Sequence, residues 1–157
     1  MSVTTLVKWY LPSIDPDRLA DSLLVDGNLS WKGMRRDEIV RKWEEKGREA
    51  RCLGTRFHSA IEMYYNGVDP IDIRASIRRD CWDGHANMLS KEWAQFLLFD
   101  DRYTPTPFRT EMPVYSVAYG VAGTIDFLAR NSDGSVSLYD WKPVSYTHLT
   151  LPTIYSV

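Results

Sequence analysis

Apolar residues recur at helical spacing through roughly the first two thirds of the chain and at alternate positions after that. An apolar opening over 3–11 leads to Asp15-Pro16, a capping aspartate before a proline suited to the first helical position. That pair predicts a helix from Pro16 to about Val25, broken by Asp26-Gly27-Asn28. Ile39, Val40 and Trp43 predict a second helix over 38–46, and Gly47 predicts a bend or cap. A third helix is expected over 49–65, ending at Asn66-Gly67, and a fourth from Pro70 to about Trp82. A fifth, over 90–99, takes Ser90 as its cap and carries Trp93, Phe96 and Leu97 on one stripe. Pro105 and Pro107 close the helical half, and 108–117, 120–130 and 135–142 read as successive antiparallel strands. The expected fold is α+β: helices, then a three-stranded meander, or the front of a larger mixed sheet.

The last hairpin is the most informative part of this pattern. Asn131-Ser132-Asp133-Gly134 suits a three-residue loop with Gly134 in the left-handed region. Asn131 then pairs with Ser135, and counting outward sets Asp126 opposite Asp140, with Lys142 on the same face. Opposed carboxylates roughly 5 Å apart repel by about 3 kcal/mol at an effective dielectric near 20. A divalent cation would convert that repulsion into a binding site. The third helix adds Gly54, His58 and Glu62 at intervals of four, on one face beside the apolar stripe Phe57, Ile61 and Tyr65. A lone histidine on such a helix is more often a core residue than a ligand. Its place upstream of an Asp…Asp-x-Lys hairpin makes His58 a candidate metal ligand.

Composition narrows the class without naming it. The chain has 157 residues with 44% hydrophobic, 13% aromatic and 25% charged content, the profile of a globular protein with one real core. No apolar run has the length to cross a membrane, and the opening residues lack the pattern of a secretory signal. Cys52 and Cys81 form no disulfide framework and are expected as buried, reduced thiols of a soluble intracellular protein. A net charge of -2 gives no global attraction to nucleic acid, so phosphate binding needs a local patch. Lys32, Arg35, Arg36, Arg41, Lys42, Lys46, Arg48, Arg51 and Arg56 outnumber the acids around them and form one candidate patch. Trp31 and Trp43 could stack on unpaired bases there. The competing reading is a solvated helix face with its own ion pairs and core tryptophans.

From about Val144 the chain reads Ser-Tyr-Thr-His-Leu-Thr-Leu-Pro-Thr and continues to Val157 without Lys, Arg, Asp or Glu. This run closely resembles the translation of a transposase-end sequencing adapter. The expectation is a domain over 1–143 whose natural sequence is interrupted there, and a non-native tail over 144–157. His148 is given no role.

Gly54-x-x-x-His58, Gly123-Thr-Ile-Asp126 and Asp140-Trp-Lys142, in that order, resemble the motifs of the PD-(D/E)XK nuclease superfamily in its RecB-like branch. Ser2-Val3-Thr4-Thr5, the Trp43 helix, Tyr64-Tyr65-Asn66-Gly67 and Phe108-Arg109-Thr110-Glu111 extend the likeness over most of 2–142. The frame is similar to exonucleases of large DNA viruses and of mitochondrial genome maintenance. The resemblance implies an incomplete restriction-endonuclease-like core. It implies Mg²⁺ or Mn²⁺ held by His58, Asp126, Asp140 and the Trp141 carbonyl, with Lys142 acting on the attacking water. Glu62 and Glu111 are secondary candidates. The implied function is a metal-dependent deoxyribonuclease, an exonuclease acting on single-stranded DNA in replication, repair or recombination. In that family more sheet and a helix follow the lysine, so activity is expected of the parent protein and little or none of this chain. Two other readings stand beside it. One is a non-catalytic nucleic-acid-binding module; the other is a Cas4-like iron–sulfur endonuclease, for which four cysteines are required and two are seen.

Overall fold

A computed structural model describes residues 1–11, 13–25, 31–80, 85–142 and 155–156. The Asp26-Gly27-Asn28 break, Cys81 and Trp82, and the adapter-like tail apart from 155–156 lie outside those residues. Cys52, expected to be buried, is exposed, because the core face of its helix is taken by Leu53 and Phe57. The chain divides into two compact units, Met1–Arg51 and Cys52–Val157.

The first unit holds α1 (Val3–Tyr10), α2 (Pro16–Val25) and the opening of α3 (Arg36–Tyr65). Its caps follow from short polar side chains placed before each run. Ser2 Oγ accepts the Thr5 N–H at 3.1 Å, and Asp15 Oδ1 accepts the Asp17 N–H at 3.0 Å. At α3 the Glu38 carboxylate accepts the Arg35 N–H at 2.8 Å, the return half of a capping box. Arg36 ties the start of α3 to α2 through Asp17 and Asp21, at 3.4 and 3.7 Å. Arg35 pairs with Asp37 and Glu38. Two cations of the basic run are therefore engaged by acids. Trp31 and Trp43 meet edge to face, their ring centroids 5.9 Å apart.

Three helix boundaries differ from the sequence reading. The opening forms a helix over Val3–Tyr10, capped by Ser2, with Leu6 and Lys8 favouring it and the weaker formers Val7 and Tyr10 carried along. Gly47 neither bends nor ends α3, which runs unbroken for 30 residues. One glycine costs roughly 1 kcal/mol relative to alanine, and the Glu, Lys, Arg and Ala around it outweigh that. The fifth helix begins at His85, so Ser90 lies inside α5 (His85–Tyr103) and does not cap it.

The second unit joins the rest of α3, α4 (Pro70–Asp80) and α5 to an antiparallel meander of β1 (Thr106–Ser116), β2 (Val121–Arg130) and β3 (Val136–Tyr139). A two-residue strand, β4 (Tyr155–Ser156), pairs with β3 at Leu138 and Ser137. The α+β order of helices followed by an antiparallel meander is the observed architecture. α3 ends in a Schellman motif, in which the Val68 N–H reaches the Met63 carbonyl and the Gly67 N–H that of Tyr64, both at 3.0 Å. One core fills this unit. Leu53, Phe57, Ala60 and Ile61 of α3 meet Ile73 and Ile77 of α4, then Leu89, Trp93 and Phe96 of α5, and finally Phe127, Ala129, Tyr139 and Trp141 of the sheet region. Aromatic rings carry the helix-to-sheet contact: Tyr65 stacks on Phe127 at 4.4 Å, and Phe96 and Phe99 meet the Trp141 ring edge-on. Among the described residues no helix is long and apolar enough to cross a membrane.

Candidate functional site

The β2–β3 turn has the geometry its residues call for. The Asn131 N–H reaches the Ser135 carbonyl at 2.9 Å, and Gly134 sits at φ +85°. Pairing then runs from Arg130 with Val136 to Phe127 with Tyr139. Alternation buries Phe127, Ala129, Ser137 and Tyr139 and turns Leu128 and Leu138 the other way. The next pair in the count is Asp126 with Asp140, and the ladder stops one step short of it. The Asp126 carboxylate fills the place of the missing rung, its Oδ2 accepting the Trp141 N–H at 2.8 Å.

That opening is where the candidate groups meet. The Trp141 ring is buried against Tyr139 and Phe127, which fixes the peptide on either side of it. Its carbonyl oxygen lies 2.9 Å from His58 Nε2, which is itself 3.7 Å from Asp126 Oδ2. On the other edge of the ring, Nδ1 lies 3.1 Å from Glu111 Oε1. One ligand atom each from His58, Glu111 and Asp126 fall within 4.8 Å of one another. The imidazole thus faces two oxygens that can only accept, a carbonyl and a carboxylate. Both contacts are hydrogen bonds at once only if both ring nitrogens carry protons. A cation at Nε2 would take the place of one of them.

Glu111 reaches this point through an unusual backbone. β1 pairs Thr110 with Phe127 and Met112 with Ile125, so Glu111 stands across from Asp126. Its φ is +44°, a left-handed conformation that costs a non-glycine residue about 1–2 kcal/mol. Strain of that size persists where the surroundings enforce it, and here the carboxylate is held on His58.

Burial is the largest influence on Asp126 and pushes its carboxyl above the ordinary range. The Trp141 N–H and His58 pull it back, Asp140 pushes it further up, and Lys142 opposes that. Asp140 is close enough to be felt but is not part of the cluster. It stands half-exposed, and its Oδ1 accepts from Lys142 Nζ at 2.8 Å. Glu62 lines an open cleft of ≈ 540 Å³ together with Gly54, Thr55, His58, Ser59 and Glu111.

The structure therefore brings His58, Asp126 and the Trp141 carbonyl together and gives Glu111 a central place. Asp140 and Lys142 form a pair at the rim, and Glu62 lies in the cleft beside His58. The signal for Glu111 was countable: it stands as far before the β1–β2 turn as Asp126 stands after it. As donors, an imidazole nitrogen, carboxylates and a carbonyl oxygen fit a hard divalent cation such as Mg²⁺ or Mn²⁺. Comparison of the chain with protein-family models, with curated proteins and with solved structures finds no match.

Proposed function

We propose that this chain carries the cation site of a metal-dependent deoxyribonuclease, an exonuclease acting on single-stranded DNA. The observation that supports this reading is the meeting of His58, Asp126, Glu111 and the Trp141 carbonyl where the β2–β3 ladder opens, with Asp140 and Lys142 flanking Trp141. His58, Asp126 and the Trp141 oxygen would hold Mg²⁺ or Mn²⁺, with Glu111 or Asp140 as a further carboxylate. When bound, the ion supplies Lewis acidity at a phosphate oxygen and lowers the pKa of water beside it. The chain's own groups do the positioning. The buried Trp141 ring holds the peptide that both Asp126 and His58 touch. Lys142 brings a positive charge to the rim, where a phosphate would be met, and Asp140 aims its ammonium group.

Two measurements test the proposal. Thermal unfolding of this chain with Mn²⁺ at a hundredfold excess over its dissociation constant should show about 2.7 kcal/mol of added stability. Asp126→Asn and His58→Gln should remove that gain. Cleavage of labelled single-stranded DNA is then followed in the protein expressed from the gene read on past Lys142. Loss of cleavage in Asp140→Ala and Lys142→Ala is the expected result. Equal cleavage by wild type and both variants would overturn their assigned roles. A second reading, a nucleic-acid-binding module, draws on the exposed Asp140–Lys142 pair, since those two groups already satisfy each other. Salt-dependent DNA binding with no cleavage in any form would favour it.

A further inference from the structure

The outer surface of the sheet carries a second cluster, separate from the acids and made of opposite charge. β1 is interrupted by a bulge: Pro107 pairs with Ala129 and Arg109 with Leu128, so Phe108 is the extra residue. The Phe108 side chain stays partly exposed, and two guanidinium groups gather on it. The Cζ atoms of Arg109 and Arg130 each lie 5.1 Å from the ring centroid, which holds the two cations within about twice that distance of each other. Arg109 is steadied further by a 3.0 Å bond from Nη1 to the Phe108 carbonyl. Among the described residues neither arginine has a carboxylate within ion-pair distance. Two exposed like charges held together by an aromatic ring and left without counter-ions are a preorganised anion site.

We propose that Phe108, Arg109 and Arg130 form a binding site for the sugar-phosphate backbone of a single-stranded nucleic acid, feeding it toward the His58–Asp126 opening. This rests on the nuclease reading for its direction and on its own geometry for the site. Arg109 lies two residues before Glu111 on β1, a separation of about 7 Å along a strand, and Arg130 lies four residues beyond Asp126 on β2, about 13 Å. The cations thus stand one and two steps along the sheet from the acids, in line with them. A planar guanidinium binds a phosphate through two parallel N–H donors. An unpaired base can stack on the exposed guanidinium planes and touch the part of the Phe108 ring that stays open, the pairing of aromatic and arginine contacts that single-strand binders use. With a net charge of -2 the chain as a whole does not draw polyanions, so this patch has to act locally.

The test is fluorescence anisotropy of a short labelled oligothymidylate titrated with this chain in EDTA, across a series of salt concentrations. The double variant Arg109→Ala/Arg130→Ala should bind on the order of tenfold more weakly, and its slope of log K against log salt should fall by about 1.4. Arg109→Lys/Arg130→Lys should keep the salt slope and lose part of the affinity, because the charges remain and the fork does not. Phe108→Ala should weaken inorganic phosphate, because the ring gathers the two guanidinium groups, and weaken the oligonucleotide more, because the ring's own contact with a base is lost as well. Circular dichroism verifies that each variant is folded. Equal binding by wild type and the double alanine variant overturns the proposal. So does equal competition by polyglutamate, which would mark a site for acidic peptides. Binding through the arginines, with no cleavage by the protein read on past Lys142 under the conditions of the cleavage assay, would sink the nuclease reading and leave this site standing. Cleavage by that protein, with equal binding when the arginines are removed, would do the reverse.

Discussion

The Trp141 peptide is gripped on both sides, its ring by the core and its N–H and C=O by Asp126 and His58. Asp126 therefore has to be a buried anion to do its work, and its raised carboxyl records the strain of that. The folded protein binds the Asp126 proton more tightly than the unfolded chain does. Over the window between the ordinary carboxylate value and the raised one, the native state carries the extra proton, so stability falls as pH rises through that window. Glu92 contributes with the same sign, since burial raises its carboxyl and its Oε2 has no partner among the described residues. In EDTA, Asp126→Asn should flatten the decline and be more stable than wild type at neutral pH. Urea titrations at a series of pH values measure this, and a variant less stable than wild type at neutral pH would refute it. The same substitution should abolish the gain from Mn²⁺, so stability and ion binding move in opposite directions at one residue. At this scale the sequence was half-readable. His58 and Asp126 stood out by spacing, whereas Asp140 drew notice as Asp126's cross-strand partner, although the ladder ends before the two pair. No count of residues could foresee that the Trp141 N–H would take a side chain in place of a backbone carbonyl.

Element boundaries turn on a few backbone conformations, and two of them are opposed in chemistry. α3 ends at Gly67, φ +86°, where an added Cβ would meet nothing within 4 Å. The whole effect of Gly67→Ala is then the left-handed backbone, and it should cost about 1 kcal/mol. α5 ends at Thr104, φ +41°, a β-branched residue in the same conformation, with its N–H on the Asp100 carbonyl at 2.7 Å. Thr104→Gly should therefore stabilise the protein by about 1 kcal/mol. Chemical denaturation of both variants checks the pair, and a loss of stability in Thr104→Gly would contradict it. Gly67 was visible as a stop because glycine after a helical run is a strong cue; Thr104 carries no such cue. α2 and the β2–β3 turn were readable for the same reason, through Asp15-Pro16 and Asn-Ser-Asp-Gly. The weaker punctuation misled: Gly47 suggested a break that its helix-forming neighbours override, and Ser90 suggested a cap inside a helix that starts at His85. Local chemistry announces a boundary where it demands a special φ, and only hints at one where it merely permits a change.

Burial is distributed unevenly over the molecule as a whole. The continuous core runs from Leu53 to Trp141, all within the second unit. At its edge the part-buried Asp100 carboxylate accepts from the Tyr64 and Tyr65 hydroxyls, at 2.5 and 2.9 Å, tying α3 to α5. That bond and burial push the Tyr64 hydroxyl up to about 12, so it remains a donor well beyond neutral pH. In the first unit, Ala20 and Ile39 are the buried apolar residues among those described, while Trp9, Tyr10, Leu11, Ile14 and Val25 stand exposed. Opening free energy follows local burial, so amide hydrogen exchange should be layered. α1 and α2 should exchange first. Residues 53–65 of α3, α5 and the paired stretch of β2 and β3 should exchange last, near the rate set by global unfolding. Adding Mn²⁺ should slow exchange at the Trp141 amide and along α3 around His58, and leave α1 and α2 unchanged, because a ligand protects the openings that would release it. Uniform protection across both units would mean that α1 and α2 open together with the core. An Mn²⁺ effect centred on α1 and α2 would place the ion away from His58 and Asp126.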